Sequence, residues 1–261
     1  MTSPAPQAVL PAREHHLPAA AVAVVGVGLL VALPELLGGL GRLAAVIVLQ
    51  LGLVLAWVLV TGIQGFAGSL AVGAAGAVVA DLALVLPESP ALGELLVVFG
   101  VGFLAAVLQQ MLRRSREDLV ASLSGVVLLL TAVGSLAGLL LLGRTSAGHD
   151  RALVALLAVG AALVVGHLID AVLPRPQLAP DVPRGLLGLV AAVLAGAAVA
   201  FLGRSAGSPV GAEVALLYGA VLGGVAALVA LAGSYIAVEA GRAEGGEPPS
   251  PWAAAVIQSV L

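Results

Sequence analysis

His167 and Asp170 stand one helical turn apart near the end of a long apolar run, and Asp81 stands in another. An ionisable group within a transmembrane helix costs about 2.5–3.5 kcal/mol near the helix centre on insertion scales, so each is a candidate functional group. A histidine beside an acid can relay protons, contribute to a metal site or hold a helix–helix hydrogen bond. One His and one Asp are too few ligands for a metal site, so neither a metal nor a cofactor is expected. Asp170 shares an i, i+4 face with Ala158, Ala162 and Gly166, which points it at a close-packed neighbour and away from lipid. The stretch that follows carries Pro174, Pro176, Pro180 and Pro183 with two arginines, Arg175 and Arg184.

The elements that must position these groups are apolar helices. Of 261 residues, 61% are hydrophobic and 10% charged, with a mean hydropathy of +1.17. Soluble domains run at about 45–50% apolar and about 25% charged, so the expected class is an all-α polytopic membrane protein. Runs of about 20 apolar residues span about 30 Å of hydrocarbon. Such runs predict about eight transmembrane helices, near residues 19–33, 43–60, 66–86, 93–112, 119–142, 152–173, 185–202 and 212–238. Residues 1–18 read as a disordered cytoplasmic tail, including His15 and His16, and 19–238 as the transmembrane domain. Residues 239–261 read as a cytoplasmic Gly/Pro linker and a short apolar segment, too short to span and expected to lie on the surface.

Cysteine is absent and every basic residue is Arg. Disulfides, thiolate chemistry, a phosphate-binding loop lysine and a Schiff base are therefore excluded. The net charge of −3 offers nothing to nucleic acid. With the N-terminus in the cytoplasm, seven of the eleven arginines fall on the inner side, as the positive-inside rule favours. The Arg- and Ala-rich composition suggests a bacterial inner membrane. On the inner side Arg113, Arg114, Arg175 and Arg184 form a candidate rim for a phosphate or lipid headgroup.

Two helices carry stripes of small residues. Gly188, Ala192, Gly196 and Ala200 line one face of the seventh span, and Ala215, Gly219, Gly223 and Ala227 one face of the eighth. Such faces let helix backbones approach closely, and ordinary packing within the chain is the expected use.

From about Arg113 to the C-terminus the chain resembles the phosphatidate cytidylyltransferases, polytopic enzymes that make CDP-diacylglycerol from CTP and phosphatidate with magnesium. The resemblance rests on the charged loop and apolar span 113–142, on Leu178-Ala179-Pro180 followed by Val182-Pro183 and Gly185, and on the glycine-bearing span leading through Ser234. The family's signature opens with Ser-x-x-Lys-Arg, but Ala237 and Val238 occupy the Lys-Arg positions here. Its HGG falls on Trp252-Ala253-Ala254, and its terminal acids find no match in Ile257, Gln258, Ser259 and Val260. Without carboxylates nothing would hold the magnesium that templates CTP. The resemblance thus implies a cytidylyltransferase-like helical core without its catalytic signature, a pseudoenzyme acting through membrane lipids or a membrane-protein partner. The alternatives are a proton-coupled transporter or channel using Asp81 or His167/Asp170, and a transferase with a remodelled site.

Overall fold

The computed structural model describes residues 12–62, 66–112, 119–142, 145–178, 182–206, 210–242 and 250–261. Within them are eight α-helices: α1 (Ala12–Thr61), α2 (Phe66–Val85), α3 (Glu94–Met111), α4 (Leu119–Gly138), α5 (Ser146–Val172), α6 (Leu186–Leu202), α7 (Ala212–Arg242) and α8 (Pro251–Val260). Six of these, α1 to α5 and α7, are long and apolar enough to cross a membrane; α6 is a shorter apolar helix of 17 residues. The chain is a multi-pass helical membrane protein by helix length and hydropathy.

The fifty-residue α1 is a hairpin of two arms. Gly38 has φ 61° and ψ −137°, a conformation open to glycine and costly for other residues. A side chain at Gly41 would run into the carbonyl of Leu33, and one at Gly26 would sit 3.5 Å from the Leu49 side chain. In a straight helix residues 26 and 49 would be about 35 Å apart. The arms, 12–37 and 39–61, therefore pack antiparallel. They carry the first two expected spans, although the reversal falls at Gly38 and not at Pro34, which the helix tolerates internally. The expected break at 61–65 also stands: α1 ends at Thr61, and Gly62 follows at φ 58°.

The arms divide the protein. Ala23 of the first packs with Ala162 and Leu163 of α5, Ala192 of α6 and Ala226, Ala227 and Ala230 of α7. The second arm packs with α2 and α4 through Val46, Leu53 and Trp57, and α3 joins the same cores by packing on α2 and α4. The small-residue stripes of α6 and α7 meet each other. A Cβ at Gly196 would lie 2.6 Å from the Gly219 carbonyl, and one at Gly223 would lie 2.7 Å from the Ala192 carbonyl. With no side chains between them, the two backbones touch. The outward faces of the helices are apolar, most fully on α3, where Leu96, Val97, Val101, Leu104 and Leu108 are exposed.

Two expectations for the chain ends need correction. Residues 12–18 are helical, His15 and His16 are buried, and His16 packs on α5 and the loop before α6. Likewise α8 does not lie on a surface. It turns back alongside α7 and wedges against α1, with Ala253, Ala255, Ile257 and Gln258 buried. Its alanines make it slim enough to enter, and Gly233 leaves room for the backbone at Ile257 and Gln258.

Candidate functional site

The C-terminal end of α5 and the loop after it build a sealed polar cluster. The loop pairs with itself: Leu178 N–H donates to the Arg184 carbonyl at 2.9 Å, and Leu186 N–H to the Pro176 carbonyl at 2.9 Å. This clip fixes Arg184 beneath α5. There Arg184 Nη1 donates to Asp170 Oδ2 at 3.2 Å, and Gly185 N–H donates to Asp170 Oδ1 at 2.9 Å. Asp170 thus caps α6 from outside: its carboxylate lies at the helix N-terminus, where amide groups and the helix dipole favour negative charge. A side chain at Gly188 would collide with that carboxylate, and one at Gly185 with the backbone of Pro174. Both positions therefore need glycine.

Arg184 reaches two further elements. Its Nε donates to Ser234 Oγ on α7 at 3.0 Å, and its Nη2 to His167 Nε2 at 3.1 Å. Ser234 Oγ lies 3.0 Å from the Ala230 carbonyl and 3.1 Å from Gln258 Oε1, one of which takes its proton. Burial pulls the Arg184 guanidinium below its ordinary range, and the neighbouring Asp170 offsets part of that.

The histidines extend the cluster to the first arm of α1. His16 Nε2 faces the Pro183 carbonyl, which can only accept, so the proton sits on Nε2. His16 Nδ1 lies 3.1 Å from His167 Nδ1. With both rings neutral, His167 donates there from Nδ1 and receives Arg184 on Nε2. The donors then run one way, Arg184 to His167 to His16 to Pro183. His16, His167, Asp170 and Ser234 have no exposed surface, and Arg184 keeps 4%.

The sequence-predicted residues separate into groups. His167, Asp170 and Arg184 come together. Arg184 points inward with every nitrogen engaged, so it leaves the expected headgroup rim; the clip and the Asp170 charge draw it in. Arg175 is exposed in the same loop. Arg113 and Arg114 lie outside the described residues. Asp81 is elsewhere, between α2, the second arm of α1 and α4. Gln50 Nε2 donates to Asp81 Oδ1 at 2.9 Å and to the Val133 carbonyl at 3.0 Å, and both side chains are buried.

Gln50 and Gln258 complete these clusters without being candidates in the sequence, and His16 joins them from the stretch that reads as tail. The signal for Gln50 was a lone amide in an apolar run, which demands a partner in lipid as an acid does. At the opposite end of the bundle from Arg184, Arg42 Nη2 donates to His149 Nδ1 at 3.3 Å, and His149 Nε2 to Glu35 Oε1 at 3.1 Å, tying the α1 reversal to the start of α5. No group of three or more His, Cys, Asp or Glu placed to hold a metal occurs among the described residues. Comparison with protein-family models, with curated proteins and with solved structures finds no match.

Proposed function

We propose that this is a non-catalytic multi-pass protein of a bacterial inner membrane, with its N-terminus in the cytoplasm, acting through contacts with lipid or with another membrane protein. Its helical core would be like that of the phosphatidate cytidylyltransferases. The observation that carries the reading is the way the reactive groups use one another up. Both oxygens of Asp170 and all three nitrogens of Arg184 are engaged inside the protein, and the cluster has almost no exposed surface. An acid in that position braces helices and has no free oxygen to offer a substrate. The broad apolar faces of α3 and its neighbours supply the contact surface. The purified protein incubated with CTP, phosphatidate and magnesium should form no CDP-diacylglycerol; product above a protein-free control would overturn the proposal.

A second reading, a proton-coupled transporter or channel, is favoured by one feature: the run of hydrogen bonds from Arg184 through His167 to His16. It requires a pH-driven flux in proteoliposomes that Asp170→Asn abolishes. The braced-cluster reading expects no such flux in either protein.

A further inference from the structure

A cavity of about 360 Å³ opens between α5, α6 and α7, at the end of the bundle opposite the Arg184 cluster. Arg151 in the second turn of α5 and Asp170 near its end are separated by 19 residues, or about 28 Å of helix, close to the hydrocarbon thickness of a bilayer. The cavity thus sits at one membrane interface when the Arg184 cluster sits near the other. Its mouth carries Arg151, from the start of α5, and Arg204, just past the end of α6; no carboxylate is among the described residues that line it. Arg204 is held in place: its Nη1 donates to the Phe201 carbonyl at 2.8 Å, and its guanidinium lies 4.1 Å over the Phe201 ring. Nε and Nη2 remain without a protein partner among the described residues. Inside, Val154, Gly203 and Ala215 make an apolar floor, and Val214 and Tyr218 form a wall that continues onto the exposed face of α7.

We propose that this cavity binds the phosphate headgroup of an anionic glycerophospholipid. The two guanidiniums would take the phosphate oxygens and Tyr218 the glycerol region, while the acyl chains run down the apolar face of α7. The volume falls within the range of small-molecule sites. An apolar wall continuous with the lipid-facing surface suits an amphiphile and offers nothing to a fully hydrated free anion. This inference rests on the lipid-contact reading above and names the lipid class and the place.

The test is native mass spectrometry of the full-length protein, purified after exchange into vesicles of equal phosphatidylglycerol and phosphatidylcholine. Wild type should retain one phosphatidylglycerol in preference to phosphatidylcholine. Two interfacial arginines are together worth about thirtyfold in affinity, so Arg151→Gln with Arg204→Gln should lose the preference by that order. Arg42→Gln, at the same end of the bundle but outside the cavity, should keep it. Equal retention in the double variant, equal loss in Arg42→Gln, or displacement by millimolar inorganic phosphate would each overturn the proposal. If the double variant fails to fold, wild type with a photoreactive phosphatidylglycerol decides: labelling should fall on the peptide carrying Val214 and Tyr218, and labelling only elsewhere overturns the site. Formation of CDP-diacylglycerol would overturn the non-catalytic reading and leave these outcomes unchanged.

Discussion

Arg184 and Asp170, fourteen residues apart across a proline-rich loop, form an ion pair at 3.2 Å with almost no exposed surface. The pair fastens α5 to the start of α6, and through Ser234 and His167 it extends to α7 and the first arm of α1. Breaking a buried pair strands a charge, which costs about 3–5 kcal/mol, whereas replacing both partners removes the stranded charge. Asp170→Asn should therefore lower the thermal unfolding midpoint in detergent markedly, and adding Arg184→Leu should restore part of the loss. An unchanged midpoint in Asp170→Asn would show that the pair does not brace the bundle.

The histidines at the two ends of the bundle should behave differently. His16→Ala leaves the buried Pro183 carbonyl and the His167 Nδ1 proton without their His16 partner, a loss of about 1–3 kcal/mol. His149→Ala removes a bridge to Glu35 that is largely open to solvent, where such pairs contribute about 0–1 kcal/mol. Chemical unfolding of the two variants side by side measures the contrast; equal effects would contradict the burial of His16.

The α6–α7 contact gives a sharper comparison between neighbouring glycines. A side chain at Gly219 would press on Ala197 Cα and Ala200 Cβ, 2.8 and 2.6 Å away, whereas one at Gly224 would meet only Val193 Cγ2 at 3.8 Å. Gly219→Val should force the helices apart and cut the yield of folded protein severely. Gly224→Ala should be neutral, or slightly stabilising through better helix propensity. Size-exclusion profiles of the two variants distinguish the outcomes.

Because the chain has no cysteine, introduced thiols report topology directly. If α1 reverses at Gly38 at the outer face and the N-terminus is cytoplasmic, Leu37→Cys and Glu88→Cys should react with an impermeant maleimide from outside intact cells. Arg175→Cys should react only after permeabilisation. Labelling of Leu37→Cys and Glu88→Cys from opposite sides would contradict the hairpin.

Much of this arrangement is legible in the sequence because it is local. The apolar runs of all eight expected spans are helical, and the face of Ala158, Ala162, Gly166 and Asp170 is buried, since a four-residue spacing fixes a helix face. The stripes on α6 and α7 are visible for the same reason. What was not legible depends on pairing between distant segments. His15 and His16 lie in a polar, proline-bearing stretch that reads as tail, and the partner that holds His16 inside is Pro183, over 160 residues later. Gln258 sits in a helix too short to span, and nothing near it in sequence announces Ser234 as its neighbour. Arginines gather at the membrane rim, so the sequence alone puts Arg184 there. The inward turn depends on the loop pairing with itself, a geometry that proline content alone does not specify.

The hydrogen bond from Ser259 Oγ to the Ala19 carbonyl, at 2.7 Å across 240 residues, joins the first arm of α1 to a helix made after α7. Arg184 and Asp170 emerge from the ribosome close together and can neutralise each other as α5 and α6 enter the bilayer as a pair. The first arm of α1, made before them, packs on α5 through His16, and α8, made after α7, closes against that arm. Helix α1 is thus held by a segment synthesised after α7, and α8 fills the seam between α1 and α7.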